Sequence, residues 1–364
     1  MKIILVVGAR PNFIKIAPIL EQMQSSRNLH PYLLHTGQHY DKNMSYVFFD
    51  QLGIRKPNMD LGVGSGSNSW QLSEISQRFD LVLKNEKPGA VLVVGDVNST
   101  VACSLVAAYH QTPVAHVEAG LRSFDLSMPE EINRVVTDRL STLLFSTEPS
   151  GKKNLMNEGV ASGKIHFVGN VMVDTLIKSR EIAEKDSDAL GQYGLEKDQY
   201  AMMTLHRAAN VNRPELLKNI LTAVGQLATK LPVVFSIHPR TQKQIESYEL
   251  ESLLNPLTTT PPLPYLDSLK LMSSAKMVLT DSGGIQEETT LLGIPCLTFR
   301  KNTERPVTLD EGTNILVGED MNKLKEETDK ILEGNCKTGR IPELWDGNAA
   351  KRIVHILDHW AETK

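Results

Sequence analysis

Asp96 in VVGDVNST and Glu118 in AHVEAGLRS each follow a strongly apolar run, and Glu130 in MPEEINRVVTD stands just inside a helix begun by Pro129. If such carboxylates converge, their mutual repulsion raises at least one pKa, which makes a usable acid or base near neutral pH. Each also has a plainer role available. Asp96 could cap the helix after it, and Glu130 with Arg134, four residues on, could be a surface ion pair. Glu118 is harder to dismiss, because small residues follow it and leave space beside the carboxylate.

A second set of residues suits an anion. DSGGIQEE, residues 281 to 288, comes directly after the run Met277 to Leu279 and reads as a strand-to-helix turn. A helix start presents unpaired N–H groups and partial positive charge, and Gly283 and Gly284, after Ser282, let a phosphate approach them. Glu288 lies one helical turn beyond Gly284 and could accept hydrogen bonds from an attached ribose. The competing reading is a tight turn whose acids are favoured by the helix dipole. In GARPNFIK, Arg10 and Lys15 sit at another helix start, where two cations oppose the dipole unless an anion is near. The glycine spacing matches neither the dinucleotide fingerprint nor a Walker loop, so a nicotinamide cofactor and ATP are not indicated. His206 ends MMTLHR, well placed to neutralise developing phosphate charge, whereas His238 and Arg240 in IHPR fit a proline-fixed turn equally well. No metal-ligand spacing appears, and no metal is expected.

The elements that must position these residues are short apolar runs alternating with longer helical patterns, which predicts parallel sheets of β-α-β units. Six runs fall in the first half (3–7, 32–35, 90–94, 113–117, 143–146, 165–168) and five in the second (200–205, 232–237, 277–280, 295–299, 314–317). This predicts two doubly wound α/β domains, 1–170 and 171–348, with a last helix at about 349–364 free to return to the first domain. Every candidate above follows a strand or opens the next helix. Ligands bind at the carboxyl ends of strands in open α/β sheets, so the site is expected in a cleft between the two domains.

With 364 residues, 41% hydrophobic and 23% charged, the composition is globular and long enough for two domains. A net charge of -4 gives no footprint for nucleic acid or an anionic membrane. Cys103, Cys296 and Cys336 are too few and scattered for a disulfide framework. The N-terminal MKIILVV reads as a strand rather than a signal peptide, and no run is long enough to span a bilayer, so a cytoplasmic protein is expected.

The ordered motifs GARPNFIKIAP, HTGQHYD, GDVNSTVA, HVEAGLRS, MPEEINR, FVGN, LHRAAN, IHPRT, TDSGGIQEE and NTERPV run over nearly the whole chain. They resemble the non-hydrolysing UDP-N-acetylglucosamine 2-epimerases. The resemblance implies a GT-B-like pair of Rossmann-like domains with a UDP-sugar in the cleft, no added redox cofactor, a homodimer, and supply of a mannosamine donor for surface polysaccharide. It implies elimination of UDP across carbons 1 and 2 to give 2-acetamidoglucal, then re-addition with a proton on the opposite face. By motif, Asp96, Glu118 and Glu130 become the acid/base candidates and His206 a catalytic or phosphate-stabilising partner. Arg10 and Lys15 would hold the nucleotide-sugar, with Arg134 and His238 counted among the substrate-binding residues. Ser282, Gly283 and Gly284 would take the diphosphate and Glu288 the ribose. Arg305 and the loop around Leu263 and Ser268 would complete the site near phosphate and uracil.

Departures from the family pattern bear on the substrate. Many members read GTRPE where this chain reads GARPN, with Asn12 in place of the acid. That opening and HTGQHYD are also similar to relatives acting on UDP-2,3-diacetamido-glucuronate, while SGGIQEETTLLG and TERPV look more like the UDP-N-acetylglucosamine group. Asp41 and Trp70 replace the Gln and Arg expected of a second, activating substrate site, so that regulation is not assumed. A GT-B glycosyltransferase, a hydrolysing 2-epimerase and a non-enzymatic UDP-sugar sensor are the competing functions.

Overall fold

A computed structural model of the protein describes residues 1–38 and 53–364, without the Arg10 side chain. Asp41 and the end of the HTGQHYD motif lie outside the described residues. The chain forms two compact units, Met1–Ile177 with Glu343–Lys364, and Lys178–Pro342. The change of unit falls inside the helix Val171–Asp186 rather than ahead of it, because that helix runs on without a break.

Unit 1 contains β1 (Lys2–Val7), β2 (His30–His35), β3 (Met59–Asp60), β4 (Ala90–Val94), β5 (Val114–Val117), β6 (Leu143–Ser146) and β7 (Ile165–Phe167). Among the described residues they form a seven-stranded sheet in the order β3-β2-β1-β4-β5-β6-β7, with every pair parallel. Unit 2 contains β8 (Ala201–Leu205), β9 (Val233–Ile237), β10 (Thr258–Thr260), β11 (Met277–Thr280), β12 (Cys296–Thr298) and β13 (Asn314–Leu316). They run parallel in the order β10-β9-β8-β11-β12-β13. Both sheets are doubly wound in the Rossmann manner, with the strand order reversing between β1 and β4 and between β8 and β11.

The expected count of six and five strands missed β3 and β10. Both are edge strands of two or three residues, MD and TTT, largely exposed and without the apolar run that marks a central strand. The central strands are what such runs predict: AVLVV of β4 is buried at all five residues. Sheets covered on both faces need such continuous apolar strands.

The helices that carry the site start at those strand tips. In unit 1 they are α1 (Arg10–Gln24), α2 (Asn98–Tyr109) and α3 (Pro129–Leu140). Proline stands in the first turn of α1 and α3, where its missing N–H costs nothing. In unit 2, α4 (Tyr265–Ser274) and α5 (Gly283–Leu292) do the same work. The C-terminal helix Ala349–Glu362 belongs to unit 1, where Asp174 accepts hydrogen bonds from its first amides, Ala349 N at 3.1 Å and Ala350 N at 2.7 Å.

Candidate active site

In unit 1 the residues gather where the strand order reverses. Asn12 joins the two tips: its Oδ1 accepts from Gly8 N and Ala9 N, and its Nδ2 donates to Val94 O at 3.0 Å. An ionised carboxylate could not make that last bond, so Asn12 is suited to its place even where the family pattern has an acid. One turn on, Lys15 forms an ion pair with Glu118, and both are buried, at 6% and 3% exposure. Glu118 adopts φ 74°, a left-handed conformation that costs a residue with a Cβ about 1 kcal/mol or more. The following Gly120 makes the turn possible, because a Cβ there would stand 2.2 Å from Gly151 O. Backbone strain and a buried ion pair thus hold one carboxylate at the end of β5.

Gly95 comes against this pair: a Cβ on it would lie 3.2 Å from both Glu118 Oε2 and Lys15 Nζ. The neighbouring Asp96 accepts from Arg134 Nε at 3.0 Å and Nη2 at 2.7 Å. Arg134 is only 2% exposed and also binds Glu131, so it forms buried ion pairs, one of which orients Asp96, rather than the plainer surface pair that its spacing from Glu130 allowed. Glu130 is half-buried in the first turn of α3. Its neighbour Glu131 instead ties down the preceding loop by accepting from Ser123 N, Ser123 Oγ and Phe124 N. The repulsion expected between Asp96 and Glu118 is therefore met by a separate cation for each.

Sequence reasoning missed the layer beneath. His116, 0% exposed, bonds Asp138 Oδ1 through Nδ1 at 2.6 Å and Gly95 O through Nε2 at 2.9 Å. Both partners are acceptors, so His116 is placed to donate through either ring nitrogen. Asp138 also accepts from Gly120 N at 3.0 Å and Arg122 Nη1 at 2.7 Å. Burial opposes its charge, but His116 and Arg122 outweigh that and hold its carboxyl below the usual range. A histidine inside an apolar strand was the available signal, since a buried polar group must find partners.

In unit 2 the N-cap of α5 is Ser282, whose side chain makes no cap bond, so the first-turn amides of Gly283 and Gly284 are not used by a cap. Gly283 has a second reason to be glycine: a Cβ would stand 2.7 Å from Arg305 Nη1 and 2.8 Å from Glu304 Oε1. Arg305 pairs with Glu304 and, through Nε at 2.7 Å, with Glu287, which places a fixed guanidinium beside the helix start. Glu287 is thus structural, whereas Glu288, on the next position of α5, accepts from Tyr265 Oη at 3.2 Å. Leu263 is buried just ahead of α4, and Ser268 N closes that helix's first turn onto Pro264 O.

His206 follows β8 and its Nδ1 lies 3.0 Å from Asp281 Oδ1. Asp281 also accepts from the amides of His206 and Arg207 and from Asn210 Nδ2. Burial raises the cost of its charge, yet His206, the Arg207 amide and Asn210 keep the Asp281 carboxyl below its ordinary value. Asp281 opens the DSGG motif, and its sequence context alone gives it no separate role. His238 is exposed, accepts from Arg240 N at 3.1 Å as the cap of the next helix, and its ring is 5.7 Å from that of His206. Trp70, 42% exposed, packs over Gly66. Among the described residues no group of three His, Cys, Asp or Glu side chains could hold a metal, and no helix is long and apolar enough to cross a membrane.

Two Rossmann-like α/β units with ionisable residues at their switch points make a two-domain protein of the GT-B-like class. The chain belongs to the UDP-N-acetylglucosamine 2-epimerase family, whose model matches residues 21–358. It is 40% identical to the UDP-N-acetylglucosamine 2-epimerase of Methanocaldococcus jannaschii, over 99% of each chain. It is 39% identical to the UDP-2,3-diacetamido-2,3-dideoxy-D-glucuronate 2-epimerase of Pseudomonas aeruginosa, over 98% of this chain and 99% of that one. The crystal structure of the M. jannaschii enzyme in complex with UDP-GlcNAc and UDP matches with a TM-score of 0.92 at 40% identity, covering 99% of this chain and 100% of that chain.

Proposed function

We propose that this protein, an isomerase-type enzyme by its family, interconverts UDP-N-acetylglucosamine and UDP-N-acetylmannosamine by inverting carbon 2. The observation that carries the reading is Glu118, buried, ion-paired with Lys15 and held in a left-handed backbone conformation at a strand tip. A strained, enclosed carboxylate is the kind of group that proton transfer at an unactivated carbon needs. The M. jannaschii relative, a UDP-N-acetylglucosamine 2-epimerase whose crystal structure holds UDP-GlcNAc, supports the substrate.

In the proposed reaction a carboxylate of unit 1, Glu118 with Asp96 and Glu130 as its partners, takes the proton from carbon 2. The bond from carbon 1 to the diphosphate oxygen breaks and its electron pair leaves with UDP, giving 2-acetamidoglucal. UDP then adds back at carbon 1 as a proton is delivered to the other face of carbon 2. Unit 2 holds the leaving group: amides at Ser282, Gly283 and Gly284 with Arg305 for the diphosphate, Glu288 for the ribose, the loop around Leu263 and Ser268 for the uracil, and His206 for the charge that develops. Arg10, Lys15 and His238 contribute to holding the nucleotide-sugar, and Arg134 acts through Asp96. No added cofactor takes part.

The reading includes a homodimer and the supply of a mannosamine donor for surface polysaccharide. Exposed Leu105 and Tyr109 on α2, with Ile132 and Val135 on α3, supply an apolar face of unit 1 suited to a second copy.

Proton NMR of the purified protein with UDP-N-acetylglucosamine in deuterated water, with no nicotinamide or metal added, tests the reaction. The expected product is UDP-N-acetylmannosamine carrying deuterium at carbon 2. Release of free sugar and UDP would make the protein a hydrolysing epimerase. Turnover only of UDP-2,3-diacetamido-glucuronate would move it to the second substrate, which the Pseudomonas relative favours. Binding without turnover of either sugar would overturn the reading.

A further inference from the structure

His206 and Asp281 meet at the tips of the adjacent strands β8 and β11, and their contact defines the chemistry of both ring nitrogens. Asp281 is wholly buried, while 40% of the His206 side chain is exposed. The carboxylate is not free to turn: it accepts from His206 N at 3.1 Å, Arg207 N at 2.8 Å and Asn210 Nδ2 at 3.0 Å. Asn210 is fixed in turn by donating to Phe299 O at 3.0 Å, and Arg207 by donating through Nε to Asp281 O at 2.9 Å. A carboxylate surrounded by donors is ionised and can only accept. At 3.0 Å from this carboxylate, Nδ1 of His206 is the ring nitrogen placed to carry the proton. Nε2, at the opposite edge of the ring, has no hydrogen-bond partner among the described residues.

We propose that Asp281 is the positioning residue for His206, keeping a proton on Nδ1 and presenting Nε2 as the atom that meets the diphosphate. The tautomer follows from the partner of the other nitrogen, as it does wherever a carboxylate orients a working imidazole. In the neutral ring Nε2 is then an acceptor. A second proton turns it into a donor toward a phosphate oxygen, and Asp281 balances the charge across the ring. The His238 ring lies 5.7 Å from the His206 ring, and the buried Asp281 carboxylate is the anion set against His206. The assignment rests on the reading of His206 as the phosphate partner of the epimerase.

Nitrogen NMR of the full chain labelled at histidine tests it without substrate, with the His206 signals identified by their loss in His206→Gln. At a pH high enough to leave imidazoles neutral, His206 is expected to hold its proton on Nδ1, the opposite of the preference of a free side chain. A proton on Nε2, or an even mixture, overturns the proposal, and the tautomer is read on the wild-type protein. Asp281→Asn is expected to move the proton to Nε2 and to lower kcat by about 10- to 100-fold, while Asp281→Glu, which keeps the acceptor, retains the Nδ1 tautomer. A shifted tautomer with unchanged kcat would also overturn it. Wild-type protein that turns over no UDP-sugar would sink the functional reading and leave the tautomer standing.

Discussion

Each unit sets a buried aspartate against a histidine in or just after a central strand, and the two pairs differ in what they leave open. In unit 1, His116 is 0% exposed and both nitrogens are taken, by Asp138 and by Gly95 O. In unit 2, His206 is 40% exposed and only Nδ1 is taken, by Asp281. The first pair is a fastening: it holds the β4 tip against β5 and, through Gly120 N, shapes the turn that carries Glu118. The second leaves one nitrogen for a ligand. Strand order is the same in both sheets from edge to sixth strand, so topology does not decide between these uses. The residues packed around the ring do. Asp138 of α3 and Gly95 O take both nitrogens of His116, whereas Arg207 N and Asn210 bind only the aspartate of the other pair.

The same contrast extends to charge. Unit 1 presents carboxylates with a cation behind each one, Lys15 for Glu118 and Arg134 for Asp96. Unit 2 presents a helix start and Arg305, with carboxylates behind the cation at Glu287 and Glu304. On the proposed reading one set moves protons and the other holds an anion, which yields graded expectations. Glu118→Gln keeps the shape of the proton-moving set and removes its function, so kcat should fall by about 10²- to 10⁴-fold while UDP binding, read by calorimetry, changes within about a few fold. Normal turnover in that variant would end the assignment.

The two histidines should separate next. His116→Gln removes a buried ion-pair partner and is expected to cost about 3–5 kcal/mol in chemical denaturation, whereas His206→Gln should lower turnover with little change in stability. Equal stability losses would abolish the distinction. The Asp138 clamp also has a pH signature. Its folded-state pKa is depressed, so its contribution is complete above the unfolded value of about 4 and is lost as pH falls through the folded value. The stabilities of wild type and His116→Gln should accordingly converge in acid. Smallest is the anion-holding side, where Glu288→Ala should weaken UDP binding by about 1–3 kcal/mol and leave the proton exchange chemistry intact at saturating substrate.

Much of this was legible in the chain. Continuous apolar runs marked the central strands, because a parallel sheet covered on both faces has nowhere to place polar residues. Glycines 283 and 284 and the acids after β4 and β5 were visible for the same reason: they interrupt those runs where a ligand can approach. The short edge strands were not, since MD and TTT carry no apolar signal. Nor were the supporting partners. Glu130 and Glu131 are adjacent and chemically alike, and only the rotation of α3 buries Glu131 against Ser123 and Arg134.

The sequence by itself determined two parallel α/β units, the strand tips at which ionisable residues collect, and the family. Tertiary structure alone decided which ions face each other across the chain: Lys15 with Glu118, Arg134 with Asp96, His116 with Asp138 and His206 with Asp281. Strand periodicity is a local property written in consecutive residues. The charge state and orientation of a buried group depend on partners tens to hundreds of residues away, which only packing brings within hydrogen-bond reach.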